Sequence, residues 1–275
     1  MEEKRTGFKQ VSAGKFHSIA LRKNGTLEAW GNNINGQINV PKGSDFKQVS
    51  AGGFHSISLR ENGTLEAWGD NICGQVSDTP KDLDFKQVSA GEYHSIALRE
   101  DGTFKAWGSN QYNQVSDTPK GSDFKQVSAG GYHSIALREN GTLEAWGNNE
   151  YNQVSDTPKG SDFKQVSVAG FYSIALRKNG TLEAWGNNEH NQVSDTPKGS
   201  GFIQVSAGNR HVIALRENGT LEVWGNNELN QLSPSPKDSD FIQISAGGYH
   251  SIVLRKNGRF VNWGYNYANQ ISSVI

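Results

Sequence analysis

The stretch Phe124–Asp162 reads FKQVSAGGYHSIALRENGTLEAWGNNEYNQVSDTPKGSD, and near-copies of it fill the chain. Its residues alternate between short runs rich in β-branched and aromatic side chains and clusters of turn formers. Phe124 to Ala129 and His133 to Arg138 read as two strands separated by the sharp turn at Gly130-Gly131. Asn140-Gly141 is a strong hairpin signal, since both residues tolerate positive φ, and Thr142 to Trp146 reads as the third strand. After the Gly147-Asn148-Asn149 loop, Gln153 to Thr157 is a candidate short fourth strand, ended by Pro158 and the Gly160-Ser161-Asp162 turn. No segment long enough for a helix carries an apolar stripe of 3.6-residue period.

Working outward, tryptophan recurs at Trp30, Trp68, Trp107, Trp146, Trp185, Trp224 and Trp263, and phenylalanine keeps the same beat from Phe8 to Phe241. Seven units of about 39 residues, 8–45, 46–84, 85–123, 124–162, 163–201, 202–240 and 241–275, consume the chain and leave no second domain. Three to four antiparallel strands per unit is the content of a propeller blade. Such a small sheet cannot bury both faces alone, but seven around an axis cover one another. The first and last units resemble the middle ones, which favours a closed ring over a capped solenoid. The expectation is an all-β fold, a closed seven-bladed β-propeller over 1–275, with the Phe and Trp columns packing blade against blade. An N-terminal strand is expected to complete the last blade.

The 275 residues carry 27 basic and 28 acidic side chains, and only 34% are hydrophobic. No basic run or tail stands out, which argues against nucleic-acid binding, and no stretch approaches a membrane span. The single cysteine, Cys73, has no internal disulfide partner, and Met1-Glu2-Glu3-Lys4-Arg5 opens no secretory signal. Both lead to the expectation of a cytoplasmic protein.

The pattern V-S-A-G-x-x-H-S-x-A-L followed by N-G-T-L-x-A-W-G-x-N-x-x-x-Q, clear at Val127–Leu137 and Asn140–Gln153, resembles the repeat of the regulator of chromosome condensation family. The resemblance implies a seven-bladed propeller. That family includes a guanine-nucleotide exchange factor for a small nuclear GTPase and a secreted bacterial inhibitor of β-lactamases, so a shared scaffold leaves the partner open. The exchange factor uses a protruding wedge, and the even 39-residue spacing here leaves no insertion to form one.

Six histidines occupy one column, His17, His55, His94, His133, His211 and His250, with Tyr172 in the fifth unit. Members one blade apart cannot converge within the ~2.1 Å that a metal needs. Each is expected to bond backbone at its turn and lock its blade. The repeated Asn-Gly-Thr reads as a hairpin rather than a glycosylation acceptor. The acids Asp78, Asp117, Asp156 and Asp195 read as turn caps rather than calcium ligands. No cofactor, metal or catalytic motif is expected, and the chain is read as a non-enzyme.

Two columns vary on this uniform scaffold. Phe16, Phe54, Tyr93, Tyr132, Phe171, Arg210 and Tyr249 follow the Ala-Gly turn, where strand-connecting loops lie at one rim. Aromatics and Arg are the residue types of interface hot spots, although rings there could equally lean on the next blade. The second column follows Trp-Gly-Asn-Asn and includes Tyr112, Tyr151 and His190. These ten residues are the candidate partner-binding site. The expected occupant is a protein, whether a small GTPase to be regulated or an enzyme to be inhibited. Alternatives are a multivalent glycan-binding propeller, nucleotide exchange by analogy, and an engineered or recently amplified repeat without an evolved partner.

Overall fold

A computed structural model describes residues 6–271. Among these residues there is no helix, and 21 strands form seven three-stranded antiparallel sheets, each made of consecutive strands. The first blade comprises an inner strand Phe8–Ala13, a middle strand His17–Arg22 and an outer strand Leu27–Gly31. The same plan repeats through Phe241–Ala246, His250–Arg255 and Phe260–Gly264. Register is the same in each. In the fourth blade Phe124 pairs with Arg138 and, after a bulge, Gln126 with Leu137, while His133 faces Gly147 across the next pair. The bulge lets the Arg138 guanidinium lie over the Phe124 ring at 4.1 Å. Every blade repeats this stack, from Arg22 over Phe8 to Arg255 over Phe241.

Every sheet is sandwiched, so its middle strand is almost wholly buried, as at His133–Arg138. Each hydrophobic cluster spans two blades. Ile96 and Leu98 of the third blade pack on Phe124, Val127, Ala129 and Trp146 of the fourth. Phe8, Val11 and Ala13 of the first blade pack on Ile252 and Leu254 of the seventh in the same way. The Phe and Trp columns are thus interface residues, as expected from their period.

Polar groups repeat the pattern. The Gln10 amide donates to Val49 O at 2.9 Å and accepts from Val49 N at 3.0 Å, and Ser12 Oγ accepts from Ala51 N at 2.9 Å. Inner strands therefore bond to one another through side chains that imitate a strand edge. Across the closing seam Gln243 Oε1 and Ser245 Oγ accept from Val11 N and Ala13 N, both at 2.9 Å. The Trp68 indole N–H donates to Gln37 O of the preceding blade at 2.9 Å, and Trp30 donates to Gln270 O at 2.8 Å. The ring is closed by such contacts. The seventh sheet is made of its own three strands, so the expected strand exchange is absent from the described residues, and residues 1–5 lie outside them.

Three further expectations are corrected. Gln153–Thr157 is no strand but a pair of turns. Asn149 Oδ1 accepts the Val154 and Ser155 amides at 2.9 Å, and Asn152 adopts φ 59°, which winds the segment up. The same bonds show that the loop amides are capped by asparagine. Asp78, Asp117 and Asp195, expected to cap, instead accept from the preceding serine hydroxyls at 3.0, 3.3 and 3.5 Å. In the Asn-Gly hairpin only the glycine takes positive φ, 88° at Gly141. A Cβ there would lie 2.4 Å from Ser161 O, so glycine is required twice over. Asn140 instead turns its side chain onto Thr142 N and Oγ1 at 2.9 and 2.8 Å.

Candidate functional site

The turn between inner and middle strands brings the first variable column to one mouth of the axial channel. Its seven side chains are each half-buried. Neighbours touch in sequence round the rim. Ring centroids are 6.0 Å apart for Phe16–Phe54, 6.2 Å for Phe54–Tyr93, 6.0 Å for Tyr93–Tyr132 and 4.8 Å for Tyr132–Phe171. Arg210 lies over Tyr249 at 5.8 Å, and Tyr249 stacks on Phe16 at 5.5 Å. A collar results, broken between Phe171 and Arg210.

The second column buttresses it. Tyr112 meets Tyr132 edge-on at 5.6 Å and Tyr151 meets Phe171 at 5.3 Å. His190 Nδ1 lies 3.3 Å from the Asn226 amide. The break is a cleft of about 230 Å³ whose walls include Tyr151, Phe171, His190 and Arg210. All ten sequence-predicted residues therefore belong to one face. Sequence reasoning passed over Tyr265, which meets Tyr249 at 6.2 Å; Tyr267, a further member of the second variable column, stacks on Tyr265 at 6.1 Å and is 87% exposed. With Ile34, Phe16 and Phe54 they line a second cleft of about 370 Å³. A search for aromatics directly after each outer strand would have found Tyr265.

Sequence reasoning also missed the residue before each collar position: Lys15, Gly53, Glu92, Gly131, Gly170, Asn209 and Gly248. Lys15 Nζ lies 3.1 Å from Glu92 Oε2, and the Asn209 amide donates to Glu92 Oε1 at 2.8 Å. Blades 1, 3 and 6 are thus tied across the axis beneath the collar, and Glu92 is buried. Glycines at the other four positions give the bridge room. The Tyr132 hydroxyl is pushed up to about 12, first by burial and then by the Glu92 charge.

The histidine column lies inside the wall rather than on the rim. His17 Nε2 is 2.8 Å from Ser56 Oγ of the next blade, and Ser56 Oγ donates in turn to Gln37 O at 3.2 Å. The serine proton is thereby committed, so Nε2–H must be the donor and Nδ1 carries a bare lone pair. Five further blades repeat the His–Ser bond, including His250 to Ser18 at 2.7 Å across the closing seam. This corrects the expected backbone bond: each histidine joins two blades instead of locking one. Burial pushes His17, His94, His133 and His250 down to about 3, and His55 and His211 to about 4. A second proton would have to sit on Nδ1, which has no hydrogen-bond partner. In the fifth blade Tyr172 replaces histidine and donates to Gly208 O and His211 O at 2.8 Å. Val212 stands where the partner serine would be, so the exception is a matched pair. Among the described residues no three His, Cys, Asp or Glu side chains gather as metal ligands.

The family model described as the regulator of chromosome condensation (RCC1) repeat matches residues 8–37, 46–75, 85–114, 124–153, 202–231 and 241–270. The chain belongs to the RCC1 repeat family. The fifth unit, in which Tyr172 replaces the column histidine, falls outside the match. Among solved structures this RCC1-repeat propeller resembles the ectodomain of the receptor kinase CR4 from Physcomitrella patens, at 20% identity and TM-score 0.79, covering 94% of this chain and 74% of that one. It also resembles Prp20p from Saccharomyces cerevisiae, at 20% identity and TM-score 0.74, covering 88% and 80%. The ectodomain of the Arabidopsis thaliana receptor kinase ACR4 matches at 18% identity and TM-score 0.73, covering 95% and 99%. These likenesses establish the shared fold. No curated protein sequence matches the chain. No helix among the described residues of this RCC1-repeat propeller is long and apolar enough to cross a membrane.

Proposed function

We propose that this chain is a non-catalytic, cytoplasmic scaffold that grips a protein partner with its aromatic collar. The supporting observation is the arrangement itself: seven half-exposed side chains, six of them aromatic, held in mutual contact over a channel bridged by Lys15, Glu92 and Asn209. Half-buried rings backed by one another lose little freedom on binding and offer apolar area beside polar edges. At the cleft by the break, Arg210, which lies 3.9 Å from Glu228, adds a polar contact beside the rings. Two similar structures support a protein partner. One concerns the binding of Prp20p to Gsp1p and histones, and the other the yeast RCC1 protein bound by Kap60. A small GTPase or an enzyme to be inhibited is the partner class proposed here.

The glycan alternative is weakened by the bonding of the loop amides. Gln153 and Asn148 bond to each other and to loop backbone, which leaves fewer free amides to read sugar hydroxyls. The test is affinity capture with the intact chain and a Tyr93→Ala, Tyr132→Ala, Tyr249→Ala variant whose melting is checked first. Loss of the wild-type partners is expected. Recovery of the same partners by the folded triple variant would remove the collar as the site.

A further inference from the structure

The opposite mouth of the axial channel has a different chemistry. Inner strands run along the channel from a Phe-Lys-Gln start to a Ser-Ala-Gly end, so the residue after each phenylalanine rings the far opening. Those residues are Lys9, Lys47, Lys86, Lys125 and Lys164 on blades 1 to 5, and all five line a single funnel. Ile203 and Ile242 occupy the same position on blades 6 and 7, and they are 44% and 49% exposed. The lysines lie 38 or 39 residues apart in the chain, so no basic run marks them, yet the ring gathers five ammonium groups around one opening.

Among the described residues the funnel holds no carboxylate to answer them. Its wall consists of these lysines and isoleucines, the inner-strand glutamines and two leucines. The glutamines are occupied between blades, as Gln126 is with Val166 N and O at 3.1 and 3.0 Å. They fix the strands that carry the lysines and do not neutralise them. Ion pairs among the described residues use the arginines and Lys15, and none of these includes a lysine of this ring. Lys86, Lys125 and Lys164 reach only backbone carbonyls, at 3.5, 3.3 and 3.5 Å. Asp101, on the hairpin outside, feels Lys86 as the weakest of its influences. In a chain of net charge −1, five lysines border one concave opening. A concave wall of low dielectric focuses such a field and concentrates counter-ions of opposite sign.

We propose that the lysine-lined mouth is a binding site for a compact, multiply phosphorylated anion. The funnel of about 1090 Å³ admits a small ring or short chain of phosphates on the axis. Point-like ammonium groups on flexible stems suit several phosphates at once. The wall offers no aromatic platform for a nucleobase. The site is independent of the collar, which faces the other way, so failure of either reading leaves the other intact.

Isothermal titration of the intact chain with inositol hexakisphosphate and with tripolyphosphate tests this, and vesicles containing phosphatidylinositol bisphosphate distinguish a lipid headgroup from a free phosphate. One-to-one binding is expected that weakens with added salt. The Lys47→Ala, Lys125→Ala variant should weaken it about tenfold, since each partly exposed pair removed is worth a few-fold and the funnel amplifies both. The Ile203→Lys, Ile242→Lys variant completes the ring and should tighten binding by a similar factor. Absence of binding at low salt to all three probes would overturn the proposal. So would affinities unchanged in both variants. Equal competition by polyglutamate of matched charge would reassign the funnel to acidic peptide. Thermal melts without ligand confirm that the variants fold.

Discussion

Lowering the pH should unfold this propeller through its six buried histidines. Each imidazole has an ordinary value of 6.5, and burial lowers it to about 3 or 4 in the folded chain. The unfolded chain therefore binds more protons than the folded one between those values. The histidines' contribution to stability is whole above pH 6.5 and is lost as pH falls toward the folded values. At pH 5 an unfolded histidine gains on the order of 2 kcal/mol from protonation that its folded counterpart forgoes. Six of them amount to about 12 kcal/mol, comparable with the entire stability of a typical domain. Because the folded values lie below 5, their spread hardly enters. The assay is urea unfolding followed by tryptophan fluorescence at several pH values between 7 and 4.5. Near pH 5 its pH slope should correspond to uptake of about six protons from the column. The Tyr172–Val212 pair supplies the control. Transplanting it one interface at a time, as His94→Tyr with Ser134→Val, removes one titrating group and places a phenol opposite Gly130 O and His133 O. Uptake should drop by about one proton per transplant, with the acid midpoint moving down. A slope of one proton or fewer in the wild type, or one indifferent to the transplant, would refute the claim that these rings are dry and committed to serine.

Two further outcomes follow from named contacts. Glu92→Ala should lower the urea-unfolding free energy by about 1–3 kcal/mol, because Lys15 and Asn209 lose their shared acceptor, while Glu92→Gln, which keeps an acceptor for Asn209, should lose less. Gly91→Ala should destabilise by a similar amount, about 1–3 kcal/mol, as its Cβ would lie 2.2 Å from Gly130 O and 2.9 Å from the His94 ring. The fifth blade already carries alanine at this position, beside Tyr172, so Ala169→Gly should shift the melting temperature only slightly.

The architecture was readable because every interface is built from the same residues at the same offsets. Phe124, Trp146 and Gln126 each serve a contact repeated round the ring, so a period of 39 in the chain became a rotation about an axis. Features joining unlike blades were not readable. Lys15, Glu92 and Asn209 sit in a column otherwise made of glycine, and nothing in their spacing signals that they meet across the channel. The lysine ring was hidden for the opposite reason: its charges follow the repeat faithfully and never adjoin in sequence. The collar was anticipated from its aromatic column, but its continuity depends on distances between blades. Gln153–Thr157 was misread because Val154 and Thr157 suit a strand, while the asparagine that winds the segment lies upstream at Asn149. The histidines were rightly taken as structural, but their serine partners stand one blade on, beyond the reach of a local reading.

The seam between the seventh and first blades is sealed by the same glutamine, serine, histidine and tryptophan contacts as blade joints within the chain. Covalent continuity therefore adds nothing special to the joints that possess it. Any linker between an outer strand and the following inner strand is an equivalent place to start the polypeptide. A gene recut at one of them, with its former ends spliced, should encode the same ring. Gain or loss of a whole unit would be limited by the angle each blade subtends rather than by a privileged clasp.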